Sequence, residues 1–284
     1  PYYISGENDD ADLMRIRSAE QFRKQGIDVR LRHEVYGVDP TARIVAVRNL
    51  ETGETFTAPY EKLVIATGAS PIRPPLPGVD LPGVVTLKTI PDAEHIKQLL
   101  AQPDVEDVLI VGSGFIGLEM AEACVRLGKR VRVLEMQDRA LPVYEPEISE
   151  WIAEALRRNG VALHTGEALV ALEGQGRVRR ARTQRGEYKA DVVLLAVGVR
   201  PNTAFLRDVP GFRFLKNGAI VVNRRMETGV PDVWAGGDCA TVEHMILQRP
   251  VYIPLGTNAN KQGRLIGENL AGAQREFGGA LGTS

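Results

Sequence analysis

Gly112, Gly114 and Gly117 stand in the order G-x-G-x-x-G directly behind the apolar run DVLIV. In that spacing the first glycine permits a tight turn and the second leaves the backbone bare enough for a pyrophosphate to come close. The third lets a helix pack tightly on a strand. A helix opening here, with Phe115 and Ile116 in its first turn, adds unpaired N–H groups and the positive end of its dipole. About twenty residues on, VRVLEM carries Glu135. An acid there can accept hydrogen bonds from both hydroxyls of an adenosine ribose and repels a 2′-phosphate. The pattern reads as a dinucleotide site that prefers NADH to NADPH, with Arg130, Arg132 and Arg139 as neighbouring cations that favour the phosphorylated form.

These residues need a frame of strand, turn, helix and strand. The stretch VEDVLIVGSGFIGLEMAEACVRLGKRVRVLEM supplies it within about 30 residues, the length of a βαβ unit. A further helix is predicted from Glu145 to Asn159, then strands at VALHT, VALEG, RVRRART and YKADVVLLAVG. Ahead of this region, Leu13, Ile16 and Phe22 predict a helix over 12–25 closed by Gly26. IDVRLRHEV alternates from Ile27 to Val35, and ARIVAVRNL repeats the alternation before the turn ETGET. KLVIATGAS is a buried strand running into a glycine, and PIRPPLPG is an extended connector. From Gly218 short strands return at IVV and DVWAGGD, followed by a helix from about Asn258 to Leu270.

Composition narrows the function classes. A chain of 284 residues suggests two compact units. With 35 basic and 36 acidic side chains it presents no global field for nucleic acid or an anionic membrane. Its longest apolar run, VVLLAVGV, is far short of the roughly 20 residues that span a bilayer. Two distant cysteines, Cys124 and Cys239, form neither a disulfide framework nor a zinc spacing, which points to the cytoplasm.

Four motifs spread over the chain carry a resemblance: LVIATGASP at 63–71, VGSGFIGLE at 111–119, LLAVGVRPN at 194–202 and VWAGGDCAT at 233–241. Their order and spacing resemble the flavin-dependent pyridine nucleotide-disulfide oxidoreductases. PYYISGE at the start and IPLGTNANKQGRLIGENLAG late in the chain resemble the branch of coenzyme A disulfide reductases, NADH oxidases and NADH peroxidases.

The resemblance implies an α/β fold with two Rossmann-like nucleotide-binding domains, each three-layered around a parallel sheet. An NAD(H) domain, 104–218, is inserted into an FAD domain formed by 1–103 and 219–284. It implies cofactor contacts from Ala66, Thr67 and Gly68, from Gly198, and from Gly237 and Asp238, the last on the ribityl and pyrophosphate side of the flavin. Glu119 matches an acid beside the nicotinamide. In this branch PYYI follows shortly after a redox-active cysteine, which is expected upstream of Pro1. A first βαβ unit with its own glycine loop for FAD is expected upstream as well. FGGALGTS resembles the lead-in to a dimerisation domain.

The implied activity is hydride transfer from NADH to FAD, then electron flow to a small disulfide, oxygen or peroxide in a homodimer. An NADH-dependent ferredoxin or rubredoxin reductase is the alternative within the fold. For these 284 residues alone the alternative is a non-catalytic NAD-binding module.

No catalytic residue is assigned within the chain. Cys124 reads as a buried inert thiol and Cys239 as an ordinary residue beside Asp238. His33, His95, His164 and His244 show no metal spacing. RVRRARTQR holds five arginines without interleaved aromatics and reads as solvated strand edge.

Overall fold

The computed structural model describes residues 1–282. In chain order a short helix α1 (Ala19–Lys24) precedes strands β1 (His33–Asp39), β2 (Ile44–Asn49), β3 (Thr55–Pro59), β4 (Leu63–Ile65), β5 (Ala69–Pro71) and β6 (Val84–Val85). Then come α2 (Ile90–Leu100), β7 (Asp107–Val111), α3 (Phe115–Arg126), β8 (Arg130–Leu134), α4 (Pro146–Arg158), β9 (Ala162–His164), β10 (Leu169–Glu173), β11 (Arg180–Thr183), β12 (Glu187–Lys189) and β13 (Val192–Leu195). The chain ends through β14 (Val199–Pro201), β15 (Val233–Ala235), β16 (Val242–Glu243), β17 (Pro250–Val251) and α5 (Gly256–Leu270).

Two compact units result, one from Pro1–Ser18 with Pro71–Val199, the other from Ala19–Ser70 with Arg200 onward. The first is built on a five-stranded parallel sheet in the order β6-β13-β7-β8-β9. Both faces of such a sheet are covered, so its central strands read as unbroken apolar runs. β7 and β13 are buried at every position. Val108, Ile110, Val131, Val133, Val192 and Leu194 face a layer that includes Ile96 of α2 and Met120 of α3. Leu109, Val111, Leu134, Val193 and Leu195 face the opposite way, onto Leu169, Leu172 and Ala181 of the antiparallel meander β10-β11-β12. The five arginines of RVRRARTQR serve this meander. Arg177 and Arg179 pair with Asp104 and Asp191, Arg180 and Arg182 with Glu173, and Arg185 donates to the Thr165 carbonyl.

The boundary expected at residue 103 lies instead at 70/71, because 71–103 contributes β6 to the parallel sheet and α2 to its core. α2 itself goes unpredicted above, although Thr89 and Asp92 cap it reciprocally and Pro91 sits in its first turn. Residues 1–18 also belong here: Ile4 is buried in the same core, Glu7 pairs with Arg126, and Lys97 pairs with Asp9 and lies over the Tyr3 ring. The boundary expected at 218/219 falls at 199/200, since Leu206 packs in the second unit and Thr203 donates to the Gly218 carbonyl.

In the second unit β1, β2 and β3 form an antiparallel sheet, and β4 pairs in parallel with β15. Ile65, Ile220, Met226, Ala235 and Ile266 fill its core. The helix predicted over 12–25 is broken. A 3-10 turn at Ala11–Met14 ends at extended Arg15, and α1 starts at Ala19 with Ile16 left exposed, as three apolar residues give no continuous stripe to bury. The strand predicted from Ile27 begins only at His33, after Arg32 takes a left-handed φ of 56° that no strand accommodates. Among the described residues no helix is long and apolar enough to cross a membrane. Of FGGALGTS, the last two residues lie outside the described part.

Candidate functional site

The loop that leaves β7 lies at the carboxyl ends of the parallel strands. On one side of β7 are β8 and β9, which follow it in the chain; on the other is β13. This is a topological switch point, the place where open α/β sheets leave a crevice for ligands. Each glycine of the loop meets a different constraint. Gly112 has a φ of 103°, and a Cβ there would stand 2.4 Å from the Ala196 carbonyl oxygen, in the loop after β13 that also carries Gly198. A Cβ on Gly117 would stand 2.0 Å from the Gly112 carbonyl oxygen, so only glycine lets α3 sit this close to the loop. A Cβ on Gly114 would meet nothing within 4 Å. The second glycine thus faces open space.

Gly114 is the N-cap of α3 and brings no side chain to the helix end. The first turn therefore keeps N–H groups and dipole for an anion. Phe115 and Ile116 in that turn are exposed, and the Phe115 ring meets Tyr144 edge-on at 6.2 Å. Glu119 is exposed one turn on and lines a shallow cleft with Tyr2, Glu122 and Arg126.

Glu135 follows the last residue of β8 and is buried. Its Oε2 accepts hydrogen bonds from the Ser113 backbone N–H at 2.8 Å and the Ser113 hydroxyl at 2.7 Å; its Oε1 accepts one from the Gln137 N–H at 2.8 Å. Three of roughly four lone-pair directions are taken, which leaves one on Oε1. That is room for one incoming hydroxyl, narrower than the pair the sequence suggests. Ser113 is the residue missed, and its only signal is a hydroxyl between the first two glycines.

Of the cations noted near Glu135, two are committed elsewhere. Arg130 donates to Asp107 at 2.7 and 3.0 Å and Arg132 reaches the same carboxylate at 3.4 Å. Asp107 opens β7 and Arg130 opens β8, so both lie at the strand ends opposite Glu135, about 16 Å away at ~3.3 Å per residue. The Arg130 guanidinium, with help from Lys189, holds the Asp107 carboxyl well below the usual carboxylate range against the opposing effect of burial. Arg139 stays nearer and pairs with Asp138.

A second constellation lies in the other unit. Ala66, Gly68, Gly237 and Asp238 line one groove together with Ala259 and Gly263 of α5. Gly68 and Gly237 both have positive φ, 66° and 76°, and the Gly237 N–H donates to Gln262 Oε1 at 2.7 Å. Thr67 stands apart from the groove lining: its hydroxyl donates to the Asn202 carbonyl at 2.8 Å, and the Asn202 side chain donates back to the Thr67 carbonyl. The Tyr252 hydroxyl donates to the Asp238 carbonyl, and burial pushes Tyr252 up to about 12, with Asp238 adding to the shift. Sequence reading missed the small face of α5 and Asn202; the G-x-x-A-x-x-x-G spacing of 256–263 and the terminal asparagine of LLAVGVRPN were the available signals.

Both cysteines are free and buried. Burial pushes the Cys124 thiol up to about 12 and raises that of Cys239, whose Sγ contacts the Ile65 and Gly236 carbonyls.

Known proteins match this arrangement. The family model described as pyridine nucleotide-disulphide oxidoreductase matches residues 2–263. A CoA-dependent NAD(P)H sulfur oxidoreductase of Pyrococcus furiosus is 40% identical over 285 residues, covering 100% of this chain and 63% of the relative. An NADH oxidase of Enterococcus faecalis is 37% identical over 285 residues, covering 99% and 63%. The NADH-bound water-forming NADH oxidase of Lactobacillus brevis superposes with a TM-score of 0.95 at 30% identity, over 100% of this chain and 62% of that one. The chain thus spans less than two thirds of the length of the curated relatives it matches. It belongs to the pyridine nucleotide-disulphide oxidoreductase family.

Proposed function

We propose that the glycine loop of the first unit binds NADH, and that the whole protein is an FAD-dependent oxidoreductase passing reducing equivalents to a small disulfide, of the coenzyme A type, or to oxygen or peroxide. The observation that carries the dinucleotide reading is the loop itself. Open space at Gly114, the uncapped start of α3 and the buried Glu135 carboxylate converge at the switch point. The residues present fit a dinucleotide: α3 offers N–H donors to the pyrophosphate, and Glu135 has one acceptor position for a ribose hydroxyl.

The groove of the second unit suits the flavin side. Its bare glycine backbone at Gly68 and Gly237 admits close approach, and Asp238 stands beside it. When bound, the nicotinamide supplies a hydride and the flavin accepts it; this chain's residues bind, orient and exclude water. Acceptor identity rests on the named relatives, which are sulfur oxidoreductases and NADH oxidases. A cytoplasmic location agrees with two buried, unbridged cysteines, and a homodimer with the resemblance of FGGALGTS to a dimerisation lead-in.

Titration of the 284-residue chain with NADH and NADPH tests the reading. NADH is expected to bind more tightly, and Glu135→Ala to weaken it by on the order of 1 to 3 kcal/mol while relaxing discrimination. Tighter binding of NADPH by the unsubstituted chain overturns the assignment.

A further inference from the structure

We infer that Ser113 is a positioning residue for dinucleotide selection: its hydroxyl holds the Glu135 carboxylate in the pose that prefers NADH without itself touching the ligand. The inference rests on the reading of this loop as an NADH site.

The Ser113 side chain is completely buried. Its Oγ lies 2.7 Å from Glu135 Oε2 and accepts a hydrogen bond from the Leu141 N–H at 3.2 Å. A hydroxyl has one proton to donate. A carboxylate only accepts, so that proton goes to Oε2, leaving a hydroxyl lone pair for Leu141. With the backbone N–H of Ser113 on the same oxygen and that of Gln137 on the other, the carboxylate is fixed by three donors, and its remaining acceptor position on Oε1 has one direction.

Leu141 deepens the dependence. It is buried and adopts a left-handed φ of 44°, a conformation that a leucine keeps only where its surroundings enforce it. The segment from Met136 to Tyr144 is therefore tied at its later end to the glycine loop and the first turn of α3. Ser113 holds Leu141, and the Phe115 ring meets Tyr144, whose own N–H donates to the Leu141 carbonyl. One hydroxyl sets both the acid and the chain that follows it.

A double-substitution cycle tests this, with NADH and NADPH affinities of the full 284-residue chain read by titration. Ser113→Ala is expected to lower the preference for NADH over NADPH by about tenfold, the worth of one hydrogen bond to a charged group. In a Glu135→Ala background the same change should leave the preference unaltered, since the hydroxyl then has no carboxylate to hold. An unchanged preference in Ser113→Ala with Glu135 present overturns the inference, as does an equal loss in both backgrounds, which marks a purely structural serine. Ser113→Gly, which also removes the hydroxyl, serves if the alanine variant does not fold. If neither folds, the hydroxyl serves the fold rather than selection and the inference falls. An unsubstituted chain that binds no NADH overturns the site reading and this inference together. One that prefers NADH while the serine variants keep that preference overturns the inference alone.

Discussion

The carbonyl oxygen of Gly112 occupies the space that a side chain on Gly117 would need, 2.0 Å from where its Cβ would stand. Backbone cannot yield as a flexible side chain can, so Gly117→Ala must shift α3 against its loop. A loss of stability of about 1 to 3 kcal/mol is expected, the usual cost of forcing a methyl group into filled space. A thermal melt checks it, and an unchanged midpoint would show that the loop relaxes freely.

Gly114 answers the opposite way. Its Cβ position is empty, so Gly114→Val should keep the fold and lose NADH affinity by roughly a hundredfold or more, about 2.7 kcal/mol. The branched side chain would fill the approach open to the pyrophosphate. Equal NADH binding in a folded variant would reduce the loop to a structural turn.

Asp107 is expected to contribute to the acid limit of stability in the first unit. Hydrogen bonding from Arg130 lowers its carboxyl in the folded state, and Lys189 adds to this. A depressed folded value gives stability that is complete above the unfolded value near ~4 and is lost as pH falls toward the folded value. Asp107→Asn should therefore cost on the order of 3 kcal/mol at neutral pH and flatten the acidic limb of the melting profile. Parallel acid limbs in the two proteins would assign that limb to other carboxylates.

The two thiols should be silent in the folded chain. Cys124 is pushed up to about 12 by burial and Cys239 is raised by the same cause, so neither forms the thiolate that attacks a disulfide reagent. Both are expected to react only on unfolding. Rapid labelling of either in the native chain would reopen the question of a redox role.

Flavin retention gives a further test. Among the described residues the second unit has one parallel strand pair, β4 with β15, and no second strand–glycine turn–helix beside its groove. The 284-residue chain should therefore emerge from purification without stoichiometric flavin. A yellow preparation whose colour NADH bleaches would show that the Asp238 groove suffices.

Where local chemistry dictates conformation, the sequence was legible. The glycine spacing, the apolar runs of β7 and β13 and the acid after β8 led to the switch-point loop and its sheet. Boundaries were less legible because they depend on which core a segment joins. Thr89, Pro91 and Asp92 announce α2, but nothing local to 71–103 tells that Ile96 will pack beside Met120. The same holds for Ile4, seen in sequence only as part of a motif. Ser113 was hidden because its significance lies in geometry: a serine between two glycines shows no partner until Glu135 and Leu141 converge on it.

Ile4 also has a kinetic meaning. It completes a core with Ile96 and Met120, yet about fifty residues that belong to the other unit lie between Ser18 and Pro71. On the ribosome the first segment emerges long before its neighbours, so the hydrophobic seat of Ile4 does not exist while β1, β2 and β3 are being made. Closing that span carries a length-dependent entropy of roughly 3 kcal/mol, met only once α2 and α3 have emerged. Docking of residues 1–18 is thus expected to be a late, non-local step in the birth of the first unit, with Ile4 exposed in the interval.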